Sequence, residues 1–484
     1  MQKKIKYSIF IFFIFLLIVP AIQTFNIIKI KPLDGAYYLT EQPVFSIKSW
    51  LSGEYQEKLN RHVEDHIGFR SYFVKLRNEF DFLFFSLIHA NGVVLGNNNV
   101  LYQRGYIDAY LGNDFIGDDV IKRNLFKLEF IQKELQKKGI TIITIFAPGK
   151  VSIYPEFVPS KYHLDKKKRT NYEAYMDNLK NRRINFIDLR DYFLKIKDTT
   201  KYLLFPKCGT HWSGYAITLV ADTLFKYIEN ISDIKLNHFQ SKPGYFTKDS
   251  FRFTDNDIGK GLNLLFDIPS EVYYPNIIFS NDSTKNKPDI LSIGDSFNQS
   301  FWGFYPFFSN MFGSNSQYWN YNKILAWPDS LESKYINTEN LDYKKEIEKR
   351  KIILLVTTEL NYDRMGFSFI DQVYNIYCPK IRFEERMAST LKSINSDTNY
   401  YNQIKLRASE RNISIENMMY VQSKWIINTE EIEYDKTLHS IYNNKGLYSI
   451  LSDKASKYQI NIDLLVQKYC DWFIQNEKNL HIKK

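Results

Sequence analysis

The hydrophobic and polar positions fall into three regimes along the chain. At the N-terminus, Lys3, Lys4 and Lys6 precede an unbroken apolar run from Ile9 to Ile22. Counted on to Ile28, that run approaches the ~20 residues that span a bilayer. Positive charge on its leading flank keeps that end in the cytoplasm. No small-x-small cleavage site follows, so the segment reads as an uncleaved signal anchor, with a cleaved secretory signal peptide as the competing reading. In either case the body of the chain is exported. Residues 31–60 read as a linker running into a helix. An amphipathic stretch from Ser71 to His89 comes next, then turns at Asn91-Gly92 and at Gly96 to Asn99, and a short strand at Val100–Tyr102.

In the middle regime two periods alternate. Val120, Ile121, Leu125, Leu128, Ile131 and Leu135 recur at helical spacing over 118–138. Gly139 is placed to end that helix. Ile140 to Ala147 is β-branched and uncharged, the mark of a strand buried on both faces. A helix over 171–181, a strand over 184–189 and a helix over 214–228 continue the alternation. Two more apolar strands are expected at Ile290–Ile293 and Lys351–Val356. Helices between buried strands imply an α/β fold, a parallel sheet flanked by helices. The interval between Asn230 and Pro288 carries Gly244, Gly259 and Gly261 and reads as an irregular insertion. Beyond about Ile370 the pattern is charged and helical, with no further core strand. The expected division is therefore 1–30 membrane anchor, 31–115 linker and helical lead-in, 116–370 the α/β domain, and 371–484 a helical C-terminal region.

Composition narrows the function only a little. With 484 residues there is room for two or three domains. The net charge of +10 is spread in local runs such as Lys166 to Arg169, read as solvated faces, and no nucleic-acid signature is present. The three cysteines, Cys208, Cys378 and Cys470, make no disulfide framework and no Cys-x-x-Cys pair, so no metal or cofactor is expected. Aromatic residues are plentiful at 16%, which suits sheet cores and carbohydrate-facing grooves alike.

The chemistry centres on Asp289 to Asn298. A buried strand there ends in Gly294-Asp295-Ser296, which puts a serine hydroxyl at the carboxyl end of a strand, close to the N–H groups of the turn that follows. The glycine is expected to permit a sharp bend. An ordinary strand-to-helix turn with serine as the cap is the alternative. A nucleophilic serine needs a base, and of the eight histidines His211 has the best context, a loop just before a helix with Thr210 or Ser213 as its cap. Cys208, three residues earlier, is read as buried packing.

Four short motifs then occur in a characteristic order: Glu64-Asp65-His66-Ile67-Gly68-Phe69-Arg70, Ala147-Pro148-Gly149-Lys150 with Ile153 to Glu156, Thr210-His211-Trp212, and Gly294 to Phe297. Together, over roughly residues 50–370, they resemble the alginate O-acetyltransferase family, whose members carry an SGNH-hydrolase-like domain. The resemblance implies a protein of the inner membrane with its body facing the periplasm. It implies transfer of acetyl groups to hydroxyls of a cell-surface or secreted polysaccharide, with a membrane-bound O-acyltransferase as donor partner.

By position, Ser296 would be the acetyl-accepting nucleophile and His211 the general base, with the Ser296 N–H in the oxyanion hole. Lys150, Trp212 and Asn298 fall on the substrate side. The family pattern Asp-x-His-Trp has Gly209 at its acid position here. A carboxylate from another loop is then required, with Glu359 at a strand end the first candidate and Asp65 or Asp188 behind it; otherwise the site is a Ser–His dyad. An acetylesterase, or a non-catalytic polysaccharide-binding subunit with a decayed triad, are the alternatives to a transferase.

Overall fold

The computed structural model describes residues 2–473 apart from 26, 36–37, 281, 283–284, 286, 328–335, 378–382, 412, 459–461, 463–464, 467–468 and 471. Cys378 lies outside the described residues. Four helices open the chain: α1 Gln2–Gln23, α2 Ile47–Leu51, α3 Glu54–His66 and α4 Arg70–Phe85. A small antiparallel hairpin follows, β1 Val93–Leu95 with β2 Leu101–Gln103. The sequence shows the second of these strands and hides the first. Helices α5 Arg104–Leu111 and α6 Asp118–Gln136 lead into the central layer.

That layer is a six-stranded sheet. In chain order its strands are β3 Thr141–Ala147, β4 Phe186–Asp188, β7 Ile290–Gly294, β8 Gln317–Asn320, β9 Ile324–Trp327 and β10 Ile352–Thr358. Their spatial order is β4-β3-β10-β7-β8-β9. Every neighbouring pair is parallel except β8 with β9, so the sheet is mixed and not purely parallel. The sequence concealed β8 and β9 because Gln317–Asn320 and Ile324–Trp327 are short and rich in aromatic residues, with no long β-branched run.

Alternation along the central strands divides two cores. On β10, Ile352, Leu354 and Val356 face one side while Ile353 and Leu355 face the other. The first side is covered by α7 Lys150–Ile153, α9 Leu189–Ile196 and α10 Gly214–Ile231; the second by α6, α8 Asn171–Leu179 and a helix at Phe369–Tyr377. All seven residues of β10 are buried, which accounts for its apolar run from Ile352 to Val356.

The interval from 230 to 288 is not irregular. It holds a second antiparallel ribbon, β5 Phe239–Thr247 paired with β6 Val272–Phe279, and between them the short helix α11 Asp257–Gly261. A proline, glycines and exposed polar positions on β5 masked the strand pattern. After Phe369–Tyr377 the described residues form further helices, Phe383–Ser396, Thr398–Glu410, Ile415–Asn443 and Lys445–Lys457.

In register, Thr358 pairs with Ala147, Val356 with Gly294, and Gly294 with Asn320. The carboxyl ends of β3, β10, β7 and β8 therefore finish side by side. Ligands of open α/β sheets bind in that crevice.

Candidate active site

Ser296 stands two residues beyond the end of β7 and is half-buried. The backbone after it makes successive i to i+3 bonds, Gln299 N to Ser296 O at 3.2 Å and Ser300 N to Phe297 O at 3.2 Å, before a helix of only four residues, Ser300–Gly303. A long helix does not follow, so its dipole is a minor support here. Gly294 is needed for closeness and not for a left-handed bend: a Cβ there would lie 2.5 Å from the carbonyl oxygen of Val356 on β10.

The turn is held by its neighbours. Buried Asp295 accepts bonds from Thr358 N at 2.9 Å, Thr358 Oγ1 at 2.7 Å and Asn361 Nδ2 at 2.8 Å. Its other oxygen accepts from Phe297 N at 3.2 Å. Burial raises the Asp295 carboxyl, and these donors oppose the rise. The Tyr318 hydroxyl lies 2.8 Å from the Asp295 carbonyl, and Tyr321 N donates to the Gly294 carbonyl at 2.8 Å.

His211 arrives from the connection between α9 and α10. Ser213 is the N-cap of α10, accepting from Ala216 N at 3.1 Å, and this fixes the loop that carries the histidine. Trp212 is fully buried behind it against Phe297 and Phe301, at ring separations of 5.1 and 6.4 Å. The His211 ring rests on Phe297 at 4.7 Å. Its Nε2 is 2.8 Å from Ser296 Oγ and its Nδ1 is 3.0 Å from Asp257 Oδ2. The second oxygen of Asp257 accepts from Thr210 N and Ile258 N, both at 2.8 Å. Serine, imidazole and carboxylate thus form a continuous hydrogen-bonded line.

The carboxylate on His211 is Asp257, not Glu359. Glu359 is buried at the end of β10, where it accepts from Gly149 N at 2.9 Å and Ser152 Oγ at 2.7 Å and faces Arg190 at 3.6 Å. It ties β10 to the turn after β3. Asp65 pairs with Arg70 at 3.0 Å and Asp188 caps α9, so neither serves His211.

Gly209 fits this substitution. A Cβ on it would lie 2.6 Å from the Thr254 carbonyl and 3.0 Å from the Asp255 carbonyl carbon. The segment that delivers Asp257 occupies the space where a side chain at 209 would stand. Sequence reasoning missed Asp257 because it lies 46 residues from His211, inside an interval read as irregular.

The residues expected on the substrate side are placed otherwise. Lys150 is buried, its Nζ donating to the Leu101 carbonyl at 2.8 Å and lying over the Tyr102 ring at 5.7 Å; burial pulls its pKa down to about 8. It joins the hairpin to the sheet. Trp212 belongs to the core. Asn298 is wholly buried, and its Nδ2 donates to Ser292 Oγ at 2.6 Å, beneath the serine turn. Apolar or internal partners hold all three because the loops pack inward against β7 and β3. Cys208 is buried, which lifts its thiol to about 11.

Tyr321 is the side chain that does face Ser296. It sits just after β8 in a left-handed conformation, φ 51°, which turns it back toward the serine. Burial and the Asp295 charge raise its hydroxyl, and hydrogen bonding with the Ser296 side chain and backbone opposes the rise. Arg364 lies over its ring at 5.9 Å and is held by Asn361 Oδ1 at 2.6 Å. No pattern in the sequence marks Tyr321; only the fold brings it to the site.

Residues 93–249 match the family model of the SGNH hydrolase-like domain of the acetyltransferase AlgX. Over those residues the chain is similar to that SGNH hydrolase-like domain. The matched segment includes His211 and stops before Asp257 and Ser296, which the remainder of the α/β domain supplies. Among solved structures, the chain is similar to the O-acetyltransferase domain of Pseudomonas putida AlgJ, at 16% identity and a TM-score of 0.38 over 59% of this chain and 99% of that one. It is similar to Pseudomonas aeruginosa AlgX at 16% identity and 0.37, over 58% and 67% of the two chains. For Bacillus cereus PatB1 the values are 11% and 0.33, over 57% and 99%. No protein of curated function matches the sequence. The chemistry of the site stands on its own side chains.

Proposed function

We propose that this protein is an O-acetyltransferase acting through an acetyl-serine intermediate on hydroxyls of a cell-surface or secreted polysaccharide. The observation that carries the reading is the unbroken line Ser296–His211–Asp257 in an AlgX-type domain. His211 Nε2 takes the Ser296 proton as Oγ attacks the acetyl carbonyl, and returns it to the departing donor group. The Ser296 N–H and the Tyr321 hydroxyl, which interacts with Ser296, would supply donors to the oxyanion that forms. A sugar hydroxyl then attacks the acetyl-serine, His211 takes its proton, and Ser296 Oγ recovers it as the ester leaves. Asp257 holds the imidazole in the required tautomer and offsets its positive charge.

In this proposal α1 anchors the body in the inner membrane, facing the periplasm. Over Lys3–Gln23 its mean hydropathy is 2.5, long and apolar enough for one span. The acetyl group would come from a membrane-bound O-acyltransferase partner. The Asp257 contact favours a working enzyme over a subunit with a decayed triad, since Gly209 has a replacement in place.

The experiment is acetyl release from a chromogenic ester by the purified protein, with and without added oligosaccharides. Turnover that vanishes in Ser296→Ala and in His211→Ala, with acetyl recovered on the sugar, supports a transferase. Acetyl recovered only as acetate makes it an esterase. Folded wild-type protein without turnover on a range of acetyl esters overturns the catalytic reading.

A further inference from the structure

The apolar surface of this chain does not end with α1. On α4, Tyr72, Leu76, Phe80, Leu83 and Phe84 are each more than half exposed. Their spacing of four, four, three and one puts them on a single face of the helix. That face turns away from the body. Asn78, about 200° around the helix from Phe80, donates to the Leu262 carbonyl at 2.9 Å. Glu79 accepts from Leu265 N at 3.1 Å and Phe266 N at 3.3 Å. Asn78 thus pins the inward side and Glu79 the edge of the stripe beside Leu83, while the outward side presents an apolar stripe. Its polar border is Arg77 with Asp81, paired at 3.6 Å. Short α2 and the residues before it add Phe45, Ile47, Trp50 and Leu51, also exposed. An exposed apolar stripe of this kind marks a binding face.

The position of α1 indicates what covers it. The end of α1 packs on the corner between α3 and α4. Gly68 N donates to Thr24 Oγ1 at 3.3 Å, and a Cβ on Gly68 would run into the Pro20 carbonyl. The helix that would leave the bilayer therefore delivers the chain to the start of α4. Its lysines, Lys3, Lys4 and Lys6, lie at the opposite end. An amphipathic helix starting where a span emerges lies in the plane of the interface with its apolar face among acyl chains.

We propose that α4 is an interfacial helix whose outward face, with the apolar segment around α2, rests in the outer surface of the lipid bilayer. This inference rests on the reading of α1 as a span. It fixes the domain's orientation as well as its tether. Leu262 to Phe266, the segment gripped by α4, follows directly on α11, whose first residue is Asp257. The helix in the interface and the carboxylate of the triad are then parts of one rigid corner, which holds the reaction site at a set height over the membrane.

The test uses the full chain in phosphatidylcholine vesicles, with trifluoromethyl-phenylalanine placed singly at Phe13, Tyr72, Phe80 and Phe84, near-isosteric changes that leave the fold intact. Fluorine relaxation is read with lipid nitroxides at two depths and with a water-soluble gadolinium chelate. The expected result is strong relaxation of positions 72, 80 and 84 by the shallow lipid nitroxide, little by the chelate, and relaxation of position 13 by the deep nitroxide. Relaxation of the three α4 positions by the chelate, with position 13 still deep, overturns the proposal and leaves the anchor standing. Shielding of the α4 positions from both agents means that protein covers the face, which also overturns it. A position 13 that the deep nitroxide does not reach overturns the anchor reading and this one together.

Discussion

At the scale of single residues, three side chains from distant segments converge and a fourth position gives way to let them. Ser296 and His211 are each marked by local sequence: a serine ending a buried apolar strand, and a histidine on a loop before a well-capped helix. Asp257 has no such mark. Its role follows from the contact of 3.0 Å with His211 Nδ1 and from two backbone donors that orient it. Asp257→Asn should lower kcat for acetyl-ester cleavage by about 10³- to 10⁴-fold, because an amide leaves the imidazole tautomer unsupported. Its thermal unfolding should stay within a few degrees of wild type, since the carboxylate is partly exposed. Adding Gly209→Asp should not restore activity, because the Thr254 carbonyl blocks that position. Recovery in the double variant would contradict the relocation of the acid.

A second residue-scale prediction concerns Asp255, two positions away. It is buried, accepts from the Tyr274 hydroxyl at 2.6 Å, and burial pushes its pKa from 3.8 up to about 7. The folded state therefore holds a proton that the unfolded state releases, so the stability it contributes is full below about pH 4 and falls as pH rises toward 7. Asp255→Asn has no such proton to lose. Denaturant unfolding across pH 4–8 should show the stability of wild type relative to the variant declining between about pH 4 and 7, and level above. A flat difference would contradict the buried neutral acid.

At the scale of elements, the apolar runs that became β3, β7 and β10 were legible because strands buried on both faces carry no charge and few polar positions. The helices at 118–136 and 214–231 were legible from their stripes. Strands β8 and β9 and the ribbon β5–β6 were not, since strands partly open to solvent or filled with aromatics lack that signature. The site paid for this: Tyr321 leaves β8 and Asp257 lies between β5 and β6, both from elements the sequence hid. Lys150 and Asn298 show the converse. Their residue types suggest contact with a ligand, yet burial against the hairpin and under the serine turn makes them internal supports. One element-level consequence is testable at Gly294. Its approach to Val356 leaves no room for a methyl group, so Gly294→Ala should push β7 from β10. A loss of about 2–3 kcal/mol in urea unfolding, together with reduced turnover, is expected, on the scale of overpacking a tight site.

At the scale of the whole molecule, the sheet carries its chemistry at one edge, and among the described residues the helices beyond 377 contribute nothing to that edge. Among the described residues they touch the body at α6, where the Tyr442 ring lies 5.2 Å from that of Phe126. A chain ended after residue 377 should therefore keep acetyl-ester turnover within a few-fold of wild type while its melting temperature falls. A loss of turnover in a sample with wild-type circular dichroism of the α/β domain would show that the helical region shapes the site.

The account turns on a covalent acetyl-serine. The most direct measurement is intact mass of the protein quenched during turnover of an acetyl ester, followed by peptide mapping. The account predicts a gain of one acetyl group on the peptide carrying Ser296, absent in Ser296→Ala. In Asp257→Asn the adduct should form far more slowly. Turnover with no adduct under rapid quench, or an adduct that persists in Ser296→Ala, would contradict it.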